Sequence, residues 1–238
     1  MTFPTILALD SATETCSVAL LTPAGMICRA ENVGQRHSER ALPMVDEVLQ
    51  DAGITLKGVD YLAFGAGPGS FTGLRIACGL VQGLAWGSGK PVIPVGNLLA
   101  LAARALAEEP DCRTVLCAID ARMHEAYCAV YQLGSEIIEM RAPSLAKPHV
   151  LTELARGVDA VAGDALTVFP EAWSEGGDLR RFPSLRADAA DIARIASSPA
   201  MRARAVAAQD AAPLYVRDHV ALTTDERRAR AVASAMPS

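Results

Sequence analysis

The chain opens on a short apolar run, Ile6-Leu-Ala-Leu, that ends in Asp10 and reads as a buried strand. A turn through Ser11-Ala-Thr-Glu-Thr15 leads to a second strand, Cys16 to Leu21. Pro23-Ala-Gly25 turns the chain again into a third, Met26 to Val33. From Ser38 the period changes. Ala41, Val45, Val48 and Ala52, flanked by Leu42, Met44 and Leu49, recur at helical spacing, with Ser38 as the cap and Gly53 just past the end. Pro43 lies inside this helix, where it removes one hydrogen bond or introduces a kink. Val59 to Phe64 is a fourth strand, followed by Gly65-Ala-Gly-Pro-Gly-Ser70 and a helix from Phe71 to Ser88. Pro91 to Val95 is a fifth strand, and Asn97 caps a helix to about Ala107.

The order βββαβαβα then starts again. Thr114 to Asp120, Glu125 to Tyr131 and Glu136 to Arg141 read as strands, His149 to Arg156 as a helix, Val158 to Ala162 as a strand and Ala187 to Ser197 as a helix. Asp10 and Asp120 end the first strand of each half. A duplicated unit of this kind is the organisation of the actin, sugar-kinase and heat-shock-70 ATPase fold, an α/β class. It divides the chain into halves at 1–108 and 109–220, with an Arg- and Ala-rich tail over 221–238 that reads as a frayed helix or disordered.

Composition narrows the classes. Of 238 residues, 51% are apolar and 21% charged, enough to bury a core. Aromatics are only 5%, so small aliphatic residues carry the packing. A net charge of −5 argues against this chain gripping a phosphate backbone by itself. The best membrane candidate, Phe71 to Val95, holds Arg75, Gln82 and Lys90 and many glycines, so no span is expected. No signal peptide is visible, and Cys16, Cys28, Cys78, Cys112, Cys117 and Cys128 form no C-x-x-C. They read as reduced thiols of a cytoplasmic protein.

Candidate chemistry begins at the two strand-end carboxylates. In this fold such a carboxylate holds a metal-bound water, and a glycine two residues later lets the hairpin backbone approach phosphate oxygens. Here Ala12 stands at that glycine position, and the second half reads Asp120-Ala-Arg122. Asp10, Thr13 and Asp120 are therefore weak nucleotide candidates, with turn capping as the plainer alternative. His37, His124, His149 and His219 are mutually distant, so H-x-x-x-H and H-E-x-x-H are absent. Gly65 to Ser70 has serine where G-x-G-x-x-G needs its third glycine, and Pro68 removes a donor. Gly87-Ser-Gly-Lys-Pro91 is not a Walker A loop, and no G-x-S-x-G elbow occurs.

The helix after that loop is unusual. Gly79, Gly83 and Gly87 share one face, and each interior glycine costs about 1 kcal/mol relative to alanine. Close approach of another backbone would offset that, whether from this protein's own sheet or from another chain. On what reads as a separate face, Phe71, Leu74, Arg75, Cys78 and Gln82 mix apolar and polar residues as an interface does.

Three stretches resemble the TsaB (YeaZ) family: Ile6-Leu-Ala-Leu-Asp-Ser-Ala-Thr13, His37-Ser-Glu-Arg40 with Leu42-Pro43, and above all Gly65-Ala-Gly-Pro-Gly-Ser-Phe-Thr-Gly-Leu-Arg75. The resemblance runs in order to about Tyr131 and returns at Pro213-Leu-Tyr-Val-Arg217. It implies a subunit of the bacterial machinery that makes threonylcarbamoyladenosine in tRNA, with the actin-like fold. It also implies a non-catalytic paralogue of the metal-binding transferase TsaD, joined by the ATPase TsaE, with the adenylate donor made by TsaC. The helices His37–Gln50 and Phe71–Ser88 would then form a bundle shared with TsaD, or with a second copy when the chain is alone. Arg36, His37, Arg40, Leu42, Met44, Val45, Phe71, Thr72, Leu74, Arg75, Cys78 and Gln82 are the interface residues expected on that resemblance. It implies no metal or cofactor of the chain's own, ATP or ADP only in the assembled complex, and tRNA reached only through the partner. The rival expectations are an independent ATPase or sugar-type kinase using Asp10 and Asp120, and a metallopeptidase, which the missing histidine pair disfavours.

Overall fold

The computed structural model describes residues 3–134, 136–174 and 179–217. Five strands form the first sheet: β1 (Ile6–Asp10), β2 (Thr15–Thr22), β3 (Gly25–Asn32), β4 (Tyr61–Gly67) and β5 (Val92–Gly96). Five more form the second: β6 (Thr114–Asp120), β7 (Ala126–Leu133), β8 (Ile137–Ala146), β9 (Ala160–Ala162) and β10 (Arg180–Phe182). The sheet orders are β3-β2-β1-β4-β5 and β8-β7-β6-β9-β10, the same pattern five strands later. In each, the first three strands are antiparallel and the last two join parallel to the first. This duplication is the actin-like ATPase fold.

The α-helices of the described residues are α1 (His37–Asp51), α2 (Phe71–Ser88), α3 (Asn97–Glu108), α4 (Pro148–Ala155), α5 (Ala165–Val168), α6 (Ala189–Ala196) and α7 (Pro199–Arg202). Strand alternation splits each sheet between two cores. Leu7, Leu9, Val18 and Leu20 face α1 and α2, while Ile6, Ala8, Ala19 and Ala63 face α6. In the second sheet Leu116, Ala118 and Val161 face α4 and α5, while Val115, Cys117 and Ala162 face α3. Thus α3 of the first half packs on the second sheet and α6 of the second half packs on the first. The two meet in the middle layer, where Arg104 of α3 pairs with Asp188 at 3.1 Å and Asp191 at 3.3 Å. The strand pattern repeats from β6 onward, yet in space residues 189–196 pack on the first sheet.

Several local expectations are corrected. Helix α1 begins at His37, not after Ser38, because the His37 Nε2–H donates to the Thr13 carbonyl at 2.8 Å and fixes the first turn. Asn97 does not cap α3; Gly96 stands there, and the Asn97 side chain is turned to partners inside the fold. Strand β4 starts at Tyr61 after a 3-10 turn over Leu56–Gly58 and runs on through Gly67, into the expected loop. Helix α5 and strand β10 were not expected. The tail anticipated over 221–238 lies outside the described residues. All six cysteines are free thiols, five of them buried and Cys28 half-buried. Among the described residues no helix is long and apolar enough to cross a membrane.

Candidate functional site

Asp10 sits at the end of β1, 2% exposed, and its Oδ1 accepts from Asn97 Nδ2 at 2.8 Å. The same Asn97 amide accepts the Gly67 N–H at 2.7 Å, so one side chain ties β1, β4 and α3 together. A methyl group at Gly65 would overlap the Asp10 carboxylate. Burial pushes the Asp10 carboxyl up to about 7, against the lowering effect of the Asn97 bond.

The glycine-rich run then folds over the turn between β1 and β2. Ser70 N–H donates to the Ala12 carbonyl at 2.8 Å, and Ser11 Oγ donates to the Gly73 carbonyl at 2.8 Å. Gly73 lies so close that a methyl group there would overlap the Ser11 carbonyl oxygen. Ser11 and Ala12 are buried beneath this loop. The turn that would face a phosphate group in this fold is covered by the chain's own backbone.

The other nucleotide candidates are also engaged locally. Thr13 Oγ1 accepts the Thr15 N–H at 3.2 Å. Asp120 Oδ1 accepts the Arg122 N–H at 2.8 Å, and its other oxygen pairs with the exposed Arg122 guanidinium at 3.1 Å. Arg122, Met123 and His124 follow in left-handed conformation, with φ of 63°, 55° and 60°. Both strand-end carboxylates hold turns.

The expected interface residues separate into two sets. Leu42, Phe71, Thr72, Arg75 and Arg36 are exposed. Met44, Val45, Leu74 and Cys78 are at most 5% exposed and His37 is 7% exposed, so they lie in the layer beneath the surface. The inward stripe of α1 packs Met44, Val45 and Val48 on the first sheet, which leaves Leu42 outside. Arg40 is half-buried and forks onto Glu31 of β3 at 2.9 and 2.5 Å, which fastens α1 to its own sheet.

On α2 the grouping of faces differs from expectation. Phe71, Arg75, Gly79, Gly83 and Gly87 step by four and form one exposed line, with Trp86 beside it at 74% exposure. The three glycines have nothing within 4 Å of where a Cβ would stand, so they do not pack on the chain's own sheet. Leu74 and Cys78 form the inward line. Gln82 is taken up by Ala211, whose carbonyl accepts its Nε2–H at 2.8 Å.

The TsaB protein of Escherichia coli K12, named a tRNA threonylcarbamoyladenosine biosynthesis protein, is 37% identical over 222 residues, 91% of this chain and 96% of that protein. The chain belongs to the TsaB (YeaZ) family. A TsaB of the same description from Haemophilus influenzae is 51% identical over 123 residues, about half of each chain (52% and 52%). A solved Pseudomonas aeruginosa structure, described as an uncharacterized protein with similarity to peptidase YEAZ, matches with a TM-score of 0.83 at 38% identity. It covers 91% of this chain and 100% of that one. A second, YeaZ from the same organism, has a TM-score of 0.79 at 38% identity, covering 90% and 100%. The family model described as "TsaD: tRNA N6-adenosine threonylcarbamoyltransferase" matches residues 28–221. That span begins within β3 and leaves out Asp10.

For this TsaB-family chain the sequence reasoning missed Asn97 and Tyr215 as neighbours of the site. Tyr215 Oη accepts from Arg75 Nε at 3.0 Å, across 140 residues of sequence. The signal available was the late Pro213-Leu-Tyr-Val-Arg217 motif, which was noted without a role. Among the described residues, no group of three His, Cys, Asp or Glu side chains is arranged to hold a metal ion.

Proposed function

We propose that this chain acts in making threonylcarbamoyladenosine in tRNA as a non-catalytic subunit that binds and activates a TsaD-type transferase. The observation that carries the reading is the exposed line on α2. Five residues, two of them Phe71 and Arg75 and three of them glycine, share one exposed face, and the three glycines have no intramolecular cover. Aromatic and arginine anchors beside a strip where another backbone can come close suit a helix-to-helix contact. Leu42 on α1 adds an apolar anchor, 43% exposed.

The covered turn at Ser11–Ala12 supports the non-catalytic part, because a nucleotide phosphate would have to displace Gly69 to Gly73 to reach it. The transferase chemistry, and any ATP or ADP, then belong to the assembled complex with the paralogue and a TsaE-type ATPase. The net charge of −5 favours a scaffold that leaves tRNA to its partner. The same α2 face would pair two copies when the chain is alone, in the cytoplasm or in vitro.

The test is reconstituted tRNA modification with TsaC, TsaD and TsaE from the same source, with and without this chain. Modification that requires the chain, and proceeds normally with Asp10→Ala, is the expected result. Modification without it would remove the functional content of the assignment. Calorimetry showing tight Mg-ATP binding by the isolated chain, lost in Asp10→Ala, would establish the ATPase alternative instead.

A further inference from the structure

The late motif Pro213-Leu-Tyr-Val-Arg217 has a defined place. Ala211 accepts hydrogen bonds from Gln82 and, at 3.5 Å, from Cys78, so the segment runs along α2. Leu214 N–H donates to the Ala66 carbonyl at 2.7 Å. Its own carbonyl lies 2.8 Å from where a Cβ of Gly67 would be, so the loop and the segment meet backbone to backbone. At the far end the Arg217 guanidinium reaches the second half. It donates to the Ala121 carbonyl at 3.1 Å and to Glu125 at 2.8 Å, with its side chain only 13% exposed. The segment is a strap, fastened to the glycine-rich loop at one end and to the turn between β6 and β7 at the other.

Tyr215 lies between the two fastenings and touches the α2 line. Its ring centroid is 5.7 Å from that of Phe71, and its Oη accepts from Arg75 Nε. The Arg75 guanidinium rests 3.9 Å over the Phe71 ring. Arg75 is thus ordered before any partner arrives, with its two terminal nitrogens unused among the described residues. A guanidinium presented in this way fits a planar oxygen acceptor, such as a carboxylate, on the partner.

We propose that Tyr215 is a positioning residue of the partner surface. It holds Arg75 over Phe71 in the orientation used on binding, and Arg217 fixes the strap from the second half so that Tyr215 stays in place. This rests on the partner reading of the α2 face given above. Ordering an arginine only on association would weaken binding by up to about tenfold, the upper end for one immobilised long side chain.

The experiment is a double-mutant cycle on affinity for the catalytic paralogue proposed above, measured by calorimetry with Tyr215→Ala, Arg75→Ala and the pair. The expected result is a loss of up to about tenfold with Tyr215→Ala, an intermediate loss with Tyr215→Phe, and no further loss when Tyr215→Ala is added to Arg75→Ala. Tyr215 is 43% exposed, so truncation leaves no core cavity; should that variant fail to fold, the cycle runs with Tyr215→Phe. Additive losses, or wild-type affinity in Tyr215→Ala beside a loss in Arg75→Ala, would overturn the positioning role while leaving the surface intact. Undiminished binding by Arg75→Glu and Gly79→Leu would instead overturn the surface reading itself.

Discussion

Replacing the α2 glycines by alanine separates what the helix needs from what the surface needs. Gly79 and Gly83 lie well inside an 18-residue helix, are exposed, and have open space where a Cβ would go. Glycine in such a position is about 0.8–1 kcal/mol worse than alanine, through lost backbone entropy. Gly79→Ala and Gly83→Ala should therefore each stabilise the isolated chain by about 1 kcal/mol. Gly87→Ala should do less, because it stands in the last turn before Ser88. The sites are a turn apart and touch nothing in common, so the gains should add to about 2–3 kcal/mol. A partner backbone seated on the same line would meet three new methyl groups, and overpacking of that kind costs about 1–3 kcal/mol. Urea unfolding of the dilute chain, beside calorimetric affinity for the paralogue, reads both effects. Loss of stability would mean that the glycine line packs inward. A gain in stability with unchanged affinity would mean that no partner sits there.

Two further outcomes follow from the closed turn. Burial raises Asp10 from its ordinary 3.8 to about 7, so between those values the folded chain holds a proton that the unfolded chain has released. Stability from this group is full below about pH 4 and falls until about pH 7, a span of about 4 kcal/mol at 1.36 kcal/mol per pH unit. Asp10→Asn should flatten that fall, seen as a smaller difference between urea midpoints at pH 5 and pH 8; an unchanged pH dependence would sink the argument. Gly73→Ala drives a methyl group into the Ser11 carbonyl and should destabilise by about 1–3 kcal/mol, against the stabilising effect at Gly79 in the same helix. Equal effects at the two glycines would refute the close packing of α2 on the turn.

The repeat was legible because strand alternation and the helical spacing of Ala41, Val45 and Val48 are local properties. So were both ends of α2, where Ser70 accepts the Gly73 N–H and Gly89 is left-handed. Strand β10 was not legible: three residues, two of them exposed arginines, carry no apolar alternation. Asn97 has the composition of a cap, but Asp10, 87 residues away, offered its side chain a buried partner. A four-residue period placed the glycines on one face without saying which way that face looked. It hid the continuation from Phe71 and Arg75, because Leu74 and Cys78, grouped with them by polarity, turn inward.

The glycine-rich run carries two tasks that constrain each other. Its first part lies on Ser11 and Ala12, and its continuation is the helix whose outer glycines, Gly79, Gly83 and Gly87, have nothing packed on them. The bonds from Ser70 to Ala12 and from Ser11 to Gly73 that cover the turn also fix the first turn of α2, from which Phe71 and Arg75 project. Leu214 then clasps the same loop at Ala66, and Tyr215 reaches Arg75 from that anchor. A ligand at the turn would have to break contacts that hold the surface in place. Asp10 lies behind the same loop, where its carboxyl and the Asn97 amide tie β1, α3 and β4 together. The strand-end carboxyl of Asp10 is thus tied to α3 through Asn97, and the strap joins the glycine-rich loop to the second half through Arg217.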